Sequence, residues 1–436
     1  MPTRAGGPAY ADISLQPRRQ HAVVLRDHRV VSIPFVPSGP DDVEALLSRI
    51  LAVAGGSLEA VTIDISQILR SAVLPGPQAL PQVAVVRIVP VPASDPALAR
   101  SPADLVERLI AHRFTVAGGH DLLGNELCPL DLPGLEAVTV RLALVGIRDI
   151  AIVAAGSQAN PVHEQAVANA TQAAVPQARI SVASDFGGHG LVAREATVTL
   201  DCALGPLTDR LLVRWEKALA AMAPGVLLRV ARGDGGHSTS SRIRSLPVVS
   251  LGADDALQIS GAAHLERIEN CRVLLPRPGG QVAGDVRNGL VAIRSGELTG
   301  FGVELVVPTA VLTPDRGGSS GDGLGRFTDG PVVLATRDPQ ELACLGAAVS
   351  QPTSWLDEFA YIESAEQLEK VREEAQERAT AIVVANGAAP GSAYVAEVST
   401  VAVPYSPPGT VRIRVRVAGA ADTDPRRVEV FDRMAP

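Results

Sequence analysis

The chain reads as an α/β protein, and three observations carry that reading. Short apolar runs of strand length recur, among them EAVTIDIS (59–66), QVAVVRIV (82–89), DIAIVAA (149–155) and ARISVAS (178–184). Runs of this kind suit strands buried on both faces. Between them lie stretches with helical spacing, and the alternation points to sheets covered by helices. The chain has 436 residues, 46% hydrophobic and 20% charged, enough to bury a core and to favour two or three domains over one. Aromatics are only 3%, so that core is built from Ala, Val and Leu.

The elements follow in order. HAVVLRDHRVVSIPFV (21–36) predicts two strands joined by a polar turn at Arg26-Asp27-His28. DDVEALLSRILAVA (41–54) predicts a helix starting on its aspartates and ending at Gly55-Gly56. DLVERLIAHR (104–113) has helical spacing. Residues 137–156 predict a helix, a glycine and a strand, and PVHEQAVANATQAAV (161–175) a helix with Pro161 near its start, a favoured position. The longest helical run is 192–223, and Gly205-Pro206 predicts a break in it. GVLLRVARGDGG (225–236) predicts a strand and a loop, and 257–267 and 338–351 predict helices. The Gly/Ser/Asp-rich stretch 313–330 predicts a flexible loop or boundary. Residues 364–387 predict a charged helix capped by Ser364 and ended by Asn386-Gly387. AYVAEVSTVAVPY (393–405) and TVRIRVRVAGA (410–420) predict a hairpin whose alternating arginines form a solvated face, with a binding stripe as the alternative.

Composition excludes several function classes. A net charge of −8 argues against binding nucleic acid or anionic membrane. No apolar run is long enough to span a bilayer, and the first residues lack the apolar core of a signal peptide. Cys128, Cys202, Cys271 and Cys344 are widely spaced, so reduced thiols in a cytoplasmic protein are expected rather than disulfides or a thiolate zinc site. No Gly-x-Ser-x-Gly elbow or HExxH motif is present.

In GGHDLLGNELCPLD (118–131), NPVHE (160–164) and SDFGGHGLVAREATVTLDCAL (184–204), order and spacing resemble the hydantoinase A/oxoprolinase family. The resemblance runs on through DGG (234–236), SRIRSLPVVSLG (241–252), SGAAHL (260–265), TRDPQELACLGAAV (336–349) and the tail 405–420, so it covers nearly the whole chain. It implies a two-lobed fold of actin-like, ribonuclease-H-like ATPases, with ATP and Mg²⁺ as cofactors. It also implies hydrolase action on a cyclic amide such as a hydantoin, 5-oxoproline or a lactam, and oligomers with A-type or B-type partner chains. The expected division is an N-terminal α/β lobe over 1–180, a shortened second lobe over 181–350, and a C-terminal helix with a β-hairpin over 351–436.

In such ATPases, hairpins of the form Asp-x-Gly-Gly-Thr-x-Thr-Asp cradle phosphate, because glycines let backbone N–H groups approach the anion while hydroxyls and carboxylates serve phosphate and metal. Three loops here depart from that form. ADISLQPRRQHAVV (11–24) keeps Asp12 but loses the glycines and threonines; DISQILRSAVL (64–74) keeps only Ser66. VLLPRPGGQVAGDV (273–286) keeps Gly279, Gly280 and Asp285, with Pro276 where the first aspartate is expected. Weak or absent ATP·Mg binding is the expectation, and a catalytically degenerate subunit supporting an active partner is the alternative to the hydrolase.

Among polar clusters, Asp234, Gly235, Gly236 and His237, with Ser238 and Ser240, follow a strand. They offer a carboxylate, flexible backbone, a histidine and hydroxyls: a general base or metal ligand in one reading, a capped strand-to-helix loop in the other. His120 and Asp121 sit on a Gly-Gly turn, as substrate contacts or as a self-capping turn. Asp185, Gly187, Gly188 and His189 precede the long helix, where an anion can bind. Glu164 in NPVHE fits a helix N-terminus favoured by the dipole.

Overall fold

The computed structural model describes residues 8–26, 29–37, 42–74, 80–91, 102–298, 301–315 and 330–421. In chain order, the first strands are β1 (Ala9–Leu15), β2 (Gln20–Arg26) and β3 (Arg29–Phe35), then helix α1 (Asp42–Ala54), β4 (Leu58–Asp64), α2 (Ser66–Val73) and β5 (Val83–Val89). The chain continues through α3 (Asp104–Glu107), β6 (Ile110–Ala117), the short β7 (Gly119–His120) and β8 (Glu126–Cys128), α4 (Leu132–Val145), β9 (Asp149–Ala154), α5 (Val162–Ala174) and β10 (Arg179–Val182). Helix α6 (Leu191–Met222) leads to β11 (Leu227–Ala231), β12 (His237–Thr239), α7 (Ser240–Ser245) and α8 (Ala253–Leu265). A run of strands follows: β13 (Cys271–Arg277), β14 (Gly280–Arg287), β15 (Leu290–Val291), β16 (Ile293–Leu298), β17 (Val303–Ala310), β18 (Thr313–Asp315) and β19 (Val332–Leu334). The chain closes with α9 (Pro339–Val349), β20 (Thr353–Tyr361), α10 (Ala365–Ala385), β21 (Tyr394–Ala402) and β22 (Thr410–Ala418).

The result is a mixed α/β protein with several sheets. Six strands form one sheet in the order β12-β11-β4-β1-β2-β3; β4 runs parallel to both β1 and β11. This sheet takes strands from both sides of residue 180. A wholly parallel sheet, β10-β9-β5-β6, stands beside it. A third sheet, β15-β14-β13-β19 with β18 against β14, packs on α8, and the C-terminal sheet runs β20-β22-β21 under α10. Helix α9 lies on β1, β2 and β4 on one side and on α8 on the other.

Helices α8 and α9 touch backbone to backbone. A Cβ on Gly261 would overlap the carbonyl oxygen of Leu342, and one on Gly346 that of Leu257. These glycines set how closely the first and third sheets approach.

Three expectations are corrected. Residues 104–113 form only one helical turn, because Phe114 and Val116, alternating on one face, pull Ile110–Ala117 into β6 beside β5. Pro206 does not break α6. Its first half is held by Val198, Cys202 and Ala203 and its second by Leu212, Trp215 and Leu219, and this burial outweighs the one backbone donor that proline lacks. The arginine face of β22 is not wholly solvated: Arg416 is 3% exposed. Most of the 313–330 stretch and the turn residues 27–28 lie outside the described residues.

Candidate functional site

The residues singled out in the sequence fall in three places. The first is the region where β1, β4, α9 and α8 meet. Asp12 on β1 is fully buried, beside Thr62 of β4 in parallel register, while Ser14 aligns with Asp64. Helix α9 covers this face; burial pushes the Cys344 thiol well up, with nearby Asp12 adding to the effect. Asp12 is therefore sealed beneath a helix rather than presented to a ligand.

From Asp64 a hydrogen-bond chain crosses to α8 and on to the tip of the third sheet. The Ser66 amide donates to Asp64 Oδ1 (2.9 Å), and the Asp254 amide donates to Ser66 Oγ (3.0 Å). Asp254 Oδ2 accepts from the side-chain amides of Gln67 and Gln258, both at 2.8 Å. Arg277 donates to Gln258 Oε1 (3.0 Å) and to Asp255 Oδ1 (2.6 Å). Among the described residues neither Asp64 Oδ2 nor Asp254 Oδ1 meets a donor. Burial, and then the proximity of Asp254, pushes the Asp64 carboxyl up to about 7. Burial and the neighbouring Asp255 push Asp254 up to about 6. The pairing went unmarked in the sequence because the two aspartates are 190 residues apart along the chain, and only Asp64, at the head of the second loop, lies in a segment the sequence singled out.

The Gly-Gly pair has a local explanation. Arg277 pairs with Gly280 across the β13–β14 hairpin, leaving Pro278-Gly279 as a two-residue turn. Proline first and glycine second, the latter at φ 91°, is the type II pattern. Counting back from Gly279 puts Arg277, not Pro276, in the place of the first aspartate, and its charge is spent on Asp255. Asp285 faces Arg272 across the same hairpin, with Arg272 Nη1 3.4 Å from its Oδ1. At the first hairpin, Arg19 pairs with Asp338 (2.8 Å), which also caps α9 by accepting from the Gln340 amide (3.0 Å). Both helix N-termini that face these hairpins thus already hold a carboxylate of the chain itself, the charge their dipoles favour.

The second place is the Asp234–His237 loop. Asp234 is buried and saturated: Oδ1 accepts from the Gly236 amide (3.1 Å) and Thr353 Oγ1 (2.9 Å), and Oδ2 from Arg232 (3.2 Å). Burial would raise its carboxyl, but the Arg232 and Arg416 guanidiniums outweigh that and hold it below the ordinary range. A carboxylate so held is a poor general base. His237 is buried, with Nδ1 2.9 Å from Ser350 Oγ, and its amide donates to the Gln351 carbonyl. Gly235 turns at φ 83°, while a Cβ on Gly236 would overlap Thr353. Loop and C-terminal sheet are therefore built as one piece. A cavity of about 320 Å³ opens beside Asp234 and Gly235, bounded also by α8, the β14–β15 hairpin and β21–β22. Arg416, read in the sequence as solvated, lies in its wall.

The third place is the C-terminal edge of the parallel sheet, at β5, where its connections diverge to β6 on one side and β9 on the other. Open α/β sheets often bind ligands at such points. His120 is buried there, its ring 4.4 Å from that of His163, and its amide donates to Ala155 O (2.9 Å). Burial and the neighbouring His163 lower its basicity. His163 Nδ1 accepts from the Gly119 amide and Nε2 lies 3.1 Å from Glu126 Oε1, so a neutral ring donating to Glu126 fits both contacts. Asp121 is a turn former, taking the amides of Leu123 and Asn125. Glu164 accepts from the Ala154 and Ser184 amides and from Ser157 Oγ, more than a helix-dipole partner. Asp185 is raised by burial, and Gly188 donates to the Asp357 carbonyl, so backbone holds that loop. The three places do not merge into one catalytic constellation, and among the described residues no three His, Cys, Asp or Glu side chains are arranged to hold a metal ion.

No protein-family model matches the sequence, and no curated protein matches it. Solved structures do resemble it in fold. A nucleotide-free acetone carboxylase, described in work on ATP-dependent acetone carboxylation, superposes with a TM-score of 0.65 at 10% identity, over 96% of this chain and 88% of that one. The ATP-dependent caprolactamase of Pseudomonas jessenii gives 0.68 at 12% identity, with the same two coverages. The class defined at this level is a fold shared with ATP-dependent enzymes of carboxylation and lactam chemistry. No helix among the described residues is long and apolar enough to cross a membrane.

Proposed function

We propose that this chain is a hydantoinase/oxoprolinase-type protein, built on a two-lobed actin-like fold, that has replaced its nucleotide with internal ion pairs. In this reading it is a catalytically degenerate subunit that supports an active A-type or B-type chain. One observation carries the proposal: the hairpin positions that would face phosphate hold Arg19 paired with Asp338 and Arg277 paired with Asp255. ATP would have to displace both pairs and bring its own anion beside the buried Asp64 and Asp254. The saturated state of Asp234 adds support, because it leaves the best polar cluster of the sequence without a free carboxylate to act as a base.

Calorimetry with ATP·Mg tests the reading, and no saturable heat is expected. A micromolar affinity would overturn it. Co-purification from the native host is expected to bring down a partner chain. The second reading, ring-opening hydrolysis of a cyclic amide, is favoured by the likeness to a caprolactamase. Turnover of hydantoin, 5-oxoproline or caprolactam by the isolated chain, with or without ATP, would establish it in place of the first.

A further inference from the structure

We propose that the cavity beside the Asp234–Gly235 turn is a binding site for a small organic monocarboxylate, recognised by the buried guanidinium of Arg416. Arg416 donates from Nη1 to the Val291 carbonyl (2.7 Å) and from Nη2 to the Asp234 carbonyl (2.6 Å), which leaves the second N–H of each Nη without an acceptor among the described residues; its Nε is sealed from the cavity. A buried charged group with an unused donor is costly unless something completes it. Charge points the same way. Two buried guanidiniums, Arg232 and Arg416, face the single buried carboxylate of Asp234, and Glu397, the cross-strand neighbour of Arg416, is exposed to water. The buried floor thus holds more positive than negative charge, offset only by the water-screened Glu397, and a carboxylate would meet it with charge-assisted hydrogen bonds.

The walls set the size and the charge of the ligand. About 320 Å³ is at the small end of ligand pockets. Ser260, His264 and Tyr394 supply polar contacts, and the rim carries both Arg267 and Glu269. Glu269 at the mouth disfavours a dianion such as phosphate. The proposal is independent of the ATP reading, since the cavity lies at the C-terminal sheet and not at the hairpins.

The test is calorimetry on the full chain with acetate, 5-oxoproline, butyrate and N-carbamoylglycine, against neutral 2-pyrrolidinone and inorganic phosphate. At least one carboxylate is expected to bind saturably and to raise the melting temperature, with 2-pyrrolidinone inert. Ser260→Leu, which fills the cavity from α8, is expected to weaken that binding at least tenfold, and Arg416→Lys to do the same if it folds. The proposal is overturned if no carboxylate binds, if 2-pyrrolidinone or phosphate binds as well as the best carboxylate, or if Ser260→Leu leaves binding unchanged.

Discussion

Replacing Asp64 with asparagine tests the account of the α8 contact through its pH dependence. The folded chain holds the Asp64 proton up to about pH 7, whereas an unfolded aspartate releases it near 3.8. Below 3.8 both states are protonated and the group costs nothing. As pH rises towards 7 the unfolded chain ionises first, so stability falls by about 1.36 kcal/mol per pH unit. Over the whole gap that is about 4 kcal/mol, and sharing of the ionisation cost with Asp254 reduces it to about 2–4 kcal/mol. Asparagine keeps an oxygen for the Ser66 amide and puts an N–H₂ where Asp64 Oδ2 lacks a donor, within the same pocket as the equally unmet Asp254 Oδ1. Urea unfolding at pH 8 is expected to show Asp64→Asn more stable than wild type by about 2–4 kcal/mol, and at pH 4.5 to show the two within about 1 kcal/mol. Asp201, also pushed to about 7 by burial, is present in both proteins and cancels in the difference. A variant less stable than wild type at pH 8, or a difference that ignores pH, would refute the reasoning.

Other outcomes follow from single contacts. Gly261→Ala would gain up to about 1 kcal/mol of helix propensity elsewhere, but its methyl overlaps the Leu342 carbonyl, so chemical denaturation should show a net loss of about 1–3 kcal/mol; a stabilised variant would show that the two helices separate easily. Asp234→Ala leaves Arg232 and Arg416 without their shared carboxylate and should cost about 3–5 kcal/mol, read by the same method. Glu195→Gln should cost about 3 kcal/mol, because Glu195 is fully buried between Arg87 and Arg113; a loss under 1 kcal/mol would mark the trio as dispensable.

Much of the fold was legible because local signals and packing agree. Ser364 does cap α10, accepting from the Gln367 amide, and the helix ends at Asn386 as its sequence suggested. The apolar runs at 59–66, 82–89 and 149–155 became β4, β5 and β9. Errors arose where long-range packing overruled a local preference: Pro206 sits inside α6, and residues 110–117 join a sheet instead of extending α3. The candidate site was legible only as residue types. Gly279-Gly280 looks alike in a phosphate cradle and in a plain hairpin turn; what separates them is the partner of Arg277, which lies on another element. The alternation in TVRIRVRV gave a shared face correctly, but nothing local said that one end of that face meets the Asp234 loop.

Helix α6 has a mechanical consequence. Its 32 residues extend about 48 Å. Along that length Leu200, Leu204 and Trp215 belong to the core of the six-stranded sheet, Val198, Cys202 and Ala203 to that of the parallel sheet, and Thr197 accepts the Val306 amide from β17. Melting any one of these layers strips apolar cover from the others. The first sheet also needs β11 and β12, which the chain delivers only after α6 is complete. A fragment ending near residue 180 would therefore lack both its spine and two of its strands. The sheets served by α6 should lose hydrogen-exchange protection together, as one cooperative unit.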